Sequence, residues 1–112
     1  MLAPIFYDAA GEKIAVLHLD NNRQLLALRD YPGGTSEADV PLRSIMEDGL
    51  RLGTAALVVA HNHPSGDLDP SAEDLRVSRL IADTARNLGM RLIDHIIFAG
   101  TETRSLRDLG LL

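Results

Sequence analysis

The sequence predicts a single α/β domain in which a mixed β-sheet carries helices packed on its faces. Two observations predict this class: apolar segments of strand length alternate with amphipathic segments of helix length, and their order along the chain is ββαβαβ. The chain has 112 residues, enough for one hydrophobic core, and 46% of them are apolar, as in ordinary globular proteins. We therefore expect residues 1–112 to form one domain.

The chain is expected to begin with a β-hairpin. Strands are predicted over residues 13–19 and 23–30, because each run has a largely apolar centre and the two flank a polar turn. The turn Asp20-Asn21-Asn22 separates them, and a loop is expected over residues 31–36.

A helix is predicted over about residues 41–52. Asp39 is its candidate N-cap, and Gly53 is expected to end it, because glycine adopts the left-handed conformation that closes many helices. The residues expected to face the core are Ile45, Met46, Gly49 and Leu50.

The second half of the chain predicts a strand, a helix and another strand. The apolar, partly β-branched run over residues 55–60 is typical of a buried strand, and an amphipathic helix is expected over 72–88 with Gly89 as its end. A strand over 90–99 and a short closing turn over 108–112 complete the order. The apolar stripe of the helix is predicted from Val77, Leu80, Ile81, Ala85 and Leu88.

Two histidines and one aspartate near the start of this helix form a candidate metal site. His61 and His63 follow the strand directly, and their side chains would share one face if the strand continues that far. Asp74 falls in the first turn of the helix. Two imidazoles and a carboxylate suit zinc, and three protein ligands leave a fourth position open, which distinguishes a catalytic zinc site from a structural one.

Each of these residues also has a simpler interpretation. Paired histidines occur in ordinary loops, and Ser71-Ala72-Glu73-Asp74 fits an N-cap with an acidic residue at the third helical position, close to a capping box. For Ser71 and Asp74 taken alone, helix capping is the better interpretation. Taken together with His61 and His63, they favour the metal site.

The spacing of these residues is that of a known motif. His61-x-His63-Pro64-x-Gly66, followed by Ser71 and Asp74, resembles the JAMM motif of the JAB/MPN metalloproteases. The RadC-like branch of that family is the closer match, and the segments that resemble it are 12–20, 61–67, 70–71, 94–97 and 105–112. The resemblance covers about residues 12–112 and implies the JAB/MPN fold, whose architecture is cytidine-deaminase-like.

Two features depart from that branch. RadC proteins usually carry a helix-hairpin-helix segment before this domain, and residues 1–112 contain none, so we expect a single RadC-like domain without that segment. His18 also stands where the branch usually has a large apolar residue.

The resemblance implies a zinc-dependent peptidase or isopeptidase with one zinc ion per chain, held by His61, His63 and Asp74. It makes Glu12 the general base, whereas spacing alone would make Glu12 an exposed residue at a strand edge. It also implies that Ser71 stabilises the oxyanion of the tetrahedral intermediate. A hydroxyl that caps the helix is not expected to serve the oxyanion fully at the same time, so both roles of Ser71 stay open.

The alternative is a non-enzymatic RadC-like scaffold or interaction module with an indirect role in DNA repair or mobile DNA. Relatives of this fold lose catalysis by losing ligands, and here every motif residue is present, which favours the enzyme. The expected partner is a peptide or an isopeptide-linked protein substrate. The sequence leaves open its identity, the kind of amide bond and the oligomeric state.

Four other polar side chains near these segments have expected structural roles. His18 is predicted to be a hydrogen-bonded, partly buried residue. His95 is either a group behind the metal ligands or a satisfied core histidine, and the second interpretation is favoured. Turn formation explains Asp67 and Asp69. Arg43 matches an arginine of the RadC-like branch and has no assigned role.

Composition and charge exclude several classes. With 11 basic and 16 acidic residues the net charge is −5, and we expect no direct nucleic-acid binding, which normally needs a basic stripe. The spacing of Arg76, Arg79, Arg86 and Arg91 is expected to scatter them around a helix as a solvated face. The absence of cysteine excludes disulfides and thiolate zinc sites, and no apolar run approaches the roughly 20 residues of a membrane span. With no secretion signal at the N-terminus, we expect a soluble cytoplasmic protein.

Overall fold

The structure is a computed structural model that describes residues 13–32 and 40–112. Its elements are β1 (Ile14–Leu19), β2 (Leu25–Tyr31), α1 (Leu42–Leu52), β3 (Ala56–Asn62), α2 (Ala72–Asn87), β4 (Arg91–Ala99) and β5 (Glu102–Ser105). The strands form one sheet in the order β2-β1-β3-β4-β5. β3 and β4 are parallel and the other neighbours are antiparallel, so the predicted α/β class with a mixed sheet is confirmed.

The parallel pair determines where α2 begins. Parallel neighbours need a long crossover connection, and here α2 forms most of it. Because α2 follows β3, its N-terminus lies near the C-terminal end of that strand. The start of β1 reaches the same end of the sheet, since Ile14 pairs with His61. Three separate parts of the chain therefore meet there.

The main core lies between one face of the sheet and both helices. Directly paired residues of neighbouring strands share a face, so Val16 of β1 lies beside Val59 of β3. Fully burying one such branched side chain stabilises the fold by about 1.5–3 kcal/mol. The buried cluster includes Ile14, Val16, Leu57 and Val59 from the sheet, Ile45 and Met46 from α1, and Val77, Ile81 and Ala85 from α2.

Three predictions about the strands need correction. Tyr31 does not begin a loop: it is the buried last residue of β2, because its ring packs in the core and its hydroxyl is hydrogen-bonded to His18. β3 continues to Asn62, two residues beyond its predicted end at residue 60. β5 is missing from the predicted order, because Glu-Thr-Arg-Ser has no apolar alternation and becomes a strand only by pairing with β4.

The predicted first helix is confirmed, with one error in its buried face. Ile45, Met46 and Gly49 are buried, and a Cβ at Gly49 would lie only 2.5 Å from Met90 Sδ, so a larger residue there requires the Met90 side chain to shift. Leu50 is 59% exposed, because it lies at the border of the stripe that faces the sheet. The predicted cap, Asp39, lies outside the described residues.

The second helix and the end of the chain differ slightly from expectation. Leu88 is 40% exposed, because it follows the last residue of α2 instead of lying on its apolar stripe. The closing turn covers residues 106–110, earlier than predicted, and buries Leu106. Neither helix in the described ranges has both the length and the apolar character needed to cross a bilayer.

The arginines of α2 are not all scattered, contrary to the prediction. Arg79 and Arg86 are seven residues apart, so they lie on one face of the helix. Both line the same cavity as Arg91, which follows the helix. Arg76 does not line this cavity, and it pairs with Glu73.

Candidate metal centre

The end of β3 and the first turn of α2 hold the three predicted ligands. His61 is buried within β3, and Asp74 is buried in α2. His63 follows the strand, but its N–H still donates to the Phe98 carbonyl at 2.7 Å, so the pairing with β4 continues through it. The side chains of His61 and His63 therefore point to the same face.

Three ligand atoms converge on one point. His61 Nε2 lies 2.9 Å from His63 Nε2 and 3.2 Å from Asp74 Oδ1, and His63 Nε2 lies 3.1 Å from Asp74 Oδ2. Tetrahedral ligands at zinc–ligand bond lengths lie about 3.3 Å apart, so these separations are close to those of a zinc site. Acceptor atoms this close repel one another unless a proton or a metal ion lies between them. The group therefore fits a metal ion.

The hydrogen bond behind His63 directs its lone pair toward this point. His63 Nδ1 lies 2.7 Å from the backbone carbonyl oxygen of Asp67. A carbonyl only accepts, so Nδ1–H donates and neutral His63 keeps its lone pair on Nε2. The Asp67 side chain accepts from the Asp69 N–H at 2.9 Å, which is the turn-forming role predicted for it.

His61 is supported by a second histidine. His61 Nδ1 lies 2.6 Å from His95 Nε2, and His95 Nδ1 is hydrogen-bonded to the Ser78 hydroxyl. A metal on His61 Nε2 requires Nδ1–H to donate, so His95 must accept at Nε2 and donate from Nδ1 to Ser78. Burial and the proximity of His61 lower the pKa of His95 to about 3, so this residue is neutral and able to accept.

The two interpretations of His95 both hold, since it is a fully buried, hydrogen-bonded core residue whose partner is a candidate ligand. Its backbone is held from both sides. Asp94 Oδ1 accepts from the His95 N–H at 2.7 Å, and the Leu106 N–H donates to the His95 carbonyl at 2.9 Å. Ser78 has no signal in the sequence, because an isolated serine in a helix gives no indication of a contact 17 positions away.

Ser71 and Asp74 form a capping box, and Asp74 also faces the histidines. Ser71 Oγ accepts from the Asp74 N–H at 3.0 Å, and Asp74 Oδ2 accepts from the Ser71 N–H at 2.8 Å. Burial tends to raise the pKa of Asp74, but its close contact with His61 and the hydrogen bonds from Ser71 outweigh burial and hold that pKa well below its usual range. Asp74 is therefore ionised. Helix capping and metal binding are compatible at this residue.

The cap geometry also removes the expected conflict at Ser71. The oxygen of Ser71 accepts in the cap, so its O–H remains able to donate elsewhere. The residue is exposed and lines a cleft of about 290 Å³ together with His63, Ser65, Asp67 and Asp69. The candidate centre thus borders an open cleft on the side where Ser71 lies.

Glu12 lies outside the described residues, so its role as general base stays a prediction. The next residue is described: the Lys13 N–H donates to Asn62 Oδ1 at 2.6 Å, and Asn62 lies between the two histidines in sequence. Ile14 pairs with His61. The chain therefore enters β1 beside the candidate centre.

Two other residues lie away from the centre. His18 is hydrogen-bonded as predicted and more deeply buried than predicted, with Nδ1 2.9 Å from Thr54 Oγ1 and Nε2 2.9 Å from the Tyr31 hydroxyl oxygen. Arg43 lies on the exposed side of α1 and pairs with Glu47. No contact among the described residues gives Arg43 a functional role.

Comparison with known proteins gives one family. Residues 1–111 match the profile of the RadC-like JAB domain. A UPF0758 protein of Acidithiobacillus ferrooxidans is 40% identical over 110 residues, which cover 97% of this chain and 49% of the relative. A UPF0758 protein of Salinibacter ruber is 35% identical over 112 residues, covering 97% and 47%. The chain spans about half the length of the curated relatives it matches.

Proposed function

Since this chain belongs to the RadC-like JAB domain family, we propose that it is a zinc-dependent hydrolase of amide bonds, a peptidase or isopeptidase of JAMM type. The main support is the convergence of ligand atoms from His61, His63 and Asp74, all within 4.8 Å of one another, beside an open cleft. The JAB superfamily includes metalloproteases. Three protein ligands leave a tetrahedral ion one open position, as catalysis requires.

His61, His63 and Asp74 are the proposed ligands of one zinc ion per chain. When bound, zinc lowers the pKa of a coordinated water towards neutrality and polarises a substrate carbonyl. The ligand set contributes two neutral imidazoles and one carboxylate. Because it neutralises only one of the two positive charges, the centre keeps the excess charge that this chemistry uses.

Glu12 is the proposed general base. Its carboxylate would accept the proton of the attacking water and later give a proton to the leaving amine. Support comes from the adjoining Lys13, whose backbone bond to Asn62 holds the start of β1 beside the histidines.

Ser71 is the proposed donor to the oxyanion. Its oxygen accepts a hydrogen bond from the Asp74 N–H, and this cap does not use the hydroxyl hydrogen. Its side chain lines the cleft. A donor already fixed in place costs little reorganisation when negative charge develops on the carbonyl oxygen. Supporting groups hold the ligands in turn: His95 and the Asp67 carbonyl set the tautomers of His61 and His63.

The proposed substrate is a peptide or an isopeptide-linked protein. The cleft beside Ser71, at about 290 Å³, is just below the usual size of ligand pockets, roughly 300–1,000 Å³, and suits the few atoms around one amide bond. Nucleic acid is not proposed as a direct partner, because the net charge is −5.

The test pairs metal content with turnover. Purified protein is analysed by inductively coupled plasma mass spectrometry and assayed on a panel of peptides and isopeptide-linked ubiquitin-like conjugates. About one zinc per chain, with hydrolysis that a chelator stops and zinc restores, would support the proposal. Zinc without turnover on any amide would favour the non-enzymatic scaffold, and protein that binds no metal would exclude both the centre and the activity.

A further inference from the structure

A second concave surface lies along α2. A cavity of about 1030 Å³ is bounded by one face of α2, the segment after that helix, the β1–β2 turn and the last two residues. A smaller cavity of about 260 Å³ adjoins it, since the two share Arg23, Arg91, Leu92 and Leu112. We call the combined surface the arginine cleft. None of the three candidate metal ligands lines it.

The charge of the arginine cleft is positive. No Asp or Glu side chain of the described residues lines it. Arg86 pairs with Asp83 at 2.7 Å, whereas Arg23, Arg79 and Arg91 have no carboxylate partner within the described ranges. Its basic residues, five of the 11 in an acidic chain, are Arg23, Arg79, Arg86, Arg91 and Arg107. This local excess of positive charge favours an anionic ligand, because guanidinium groups bind carboxylates and phosphates in pairs of hydrogen bonds.

The uncharged part of the wall is mainly aliphatic. Leu75 and Ala82 contribute from α2, Met90 and Leu92 from the following segment, and Leu111 from the end of the chain. No aromatic side chain of the described residues lines the cleft, so it lacks the stacking surfaces on which single-stranded nucleic acids depend. Leucine and methionine instead suit aliphatic side chains, which they would remove from water. The volume is also far larger than one phosphate group needs.

We propose that the arginine cleft binds an acidic peptide segment, with its carboxylates on Arg79 and Arg91 and its aliphatic side chains against Leu92 and Leu111. Charge complementarity and the aliphatic wall together select this occupant over an oligonucleotide. Binding does not require the hydrolytic activity proposed above. The cleft and the candidate metal centre nevertheless share α2. Its residue Ser78 lines the cleft and is hydrogen-bonded to His95, behind the candidate metal centre.

The experiment titrates a fluorescein-labelled peptide of alternating leucine and glutamate with the purified protein and follows fluorescence anisotropy. The variant Arg79→Gln/Arg91→Gln removes two guanidinium groups that have no carboxylate partner in the described ranges, and circular dichroism checks its fold. Arg43→Gln is the matched control, because it removes one arginine from the exposed side of α1, outside the cleft. A leucine–glutamine peptide and a labelled polythymidylate serve as competing probes.

We expect saturable binding of the acidic peptide that the double variant weakens roughly a hundredfold, since removing each charge-assisted hydrogen-bonding arginine costs about tenfold in affinity. Arg43→Gln and the variant His61→Ala/His63→Ala should bind as the parent protein does, which separates this proposal from the metal centre. The proposal is overturned by no binding at millimolar protein, by equal binding in parent and double variant, or by equal binding of the neutral peptide. Preference for polythymidylate would assign the cleft to nucleic acid instead.

Discussion

Two hydrogen-bond networks, each containing at least one buried histidine, lie on the helix-covered face of the sheet, near opposite ends of β3. The distal network contains His18, Thr54, Tyr31 and Asp48. The site network contains His61, His95 and Ser78, with His63 and Asp74 at its open end. His18 pairs with Leu57, four residues before His61, so roughly 13 Å separates the two along the strand. Both networks are satisfied, yet only one resembles a metal centre.

The two networks differ in which ring nitrogens of their histidines carry a hydrogen and which keep a lone pair. In the distal network Tyr31 donates to Asp48 at 2.8 Å, so its oxygen accepts from His18 Nε2–H, and His18 Nδ1 accepts from the Thr54 hydroxyl. Both nitrogens of His18 are thereby used. In the site network the supporting groups take only the Nδ1 positions of His61 and His63, which leaves two lone pairs facing Asp74. Burial and hydrogen bonding alone therefore do not make a histidine a ligand.

Bound zinc should give the largest contrast between the networks. His61→Ala/His63→Ala should lose essentially all zinc and all zinc-dependent turnover, because two of three ligands are gone. His18→Gln should keep about one zinc per chain, since His18 has no free lone pair to offer. Metal analysis of both folded variants tests this. Unchanged zinc in the double variant would remove the proposed centre.

Glu12→Gln should separate metal binding from chemistry. Glutamine keeps the shape of the side chain but cannot accept the proton, so zinc should stay while turnover on a verified substrate falls about 10²–10⁴-fold. Steady-state kinetics and metal content are measured on the same preparation. Full activity would place the base elsewhere, and loss of zinc would make Glu12 a ligand.

Variants of Ser71 test the part of the site network that faces the open cleft. Ser71→Ala should cut turnover roughly 10²–10³-fold and lower the free energy of unfolding by about 1 kcal/mol, because it removes both the oxyanion donor and the helix cap. Ser71→Asp should keep the cap but fail in catalysis, since a carboxylate repels the developing charge. Activity and urea unfolding are compared for both variants. An active Ser71→Asp protein would show that the serine is only structural.

His95 tests the support behind His61. His95→Leu leaves His61 Nδ1–H without an acceptor, and zinc affinity should fall about 10–100-fold. His95→Gln should recover part of that loss, because its amide oxygen can accept from His61 and its amide nitrogen can donate to Ser78. Competition with a chromophoric chelator measures both affinities. Equal affinities for the parent and the leucine variant would make His95 a core residue without influence on the metal.

The smallest effect concerns pH and the distal network. Burial lowers the pKa of His18 below its ordinary 6.5, although Asp48 opposes the shift. As pH falls below 6.5, the unfolded chain therefore takes up a proton at His18 before the folded protein does, and stability is lost. In metal-free protein, His18→Gln should show a shallower decline in unfolding free energy over this acid range. Urea unfolding at several pH values tests it, and identical slopes would contradict it.

The sequence was sufficient for the elements with a strong internal signal. β3 and α2 have the apolar runs and the periodicity that predict a strand and a helix, and the spacing of His61, His63 and Asp74 predicted a group that the fold does bring together. The capping box was equally predictable from the sequence, because it depends on residues within one helical turn. Such features are local, so neighbouring residues contain most of the information.

Contacts between distant segments could not be predicted in the same way. β5 is polar and forms only by pairing with β4. Leu50 is exposed because of its angular position on α1 relative to the sheet. Arg79, Arg86 and Arg91 line one cleft only once α2 lies on the sheet. The tautomers at the candidate centre also depend on such contacts, since His95 and Ser78 reach His61 from β4 and α2. Residue identity and spacing alone thus determined which side chains could bind a metal. Only the tertiary structure decided which lone pairs face one another, because hydrogen-bond partners far apart in sequence set the position of each proton.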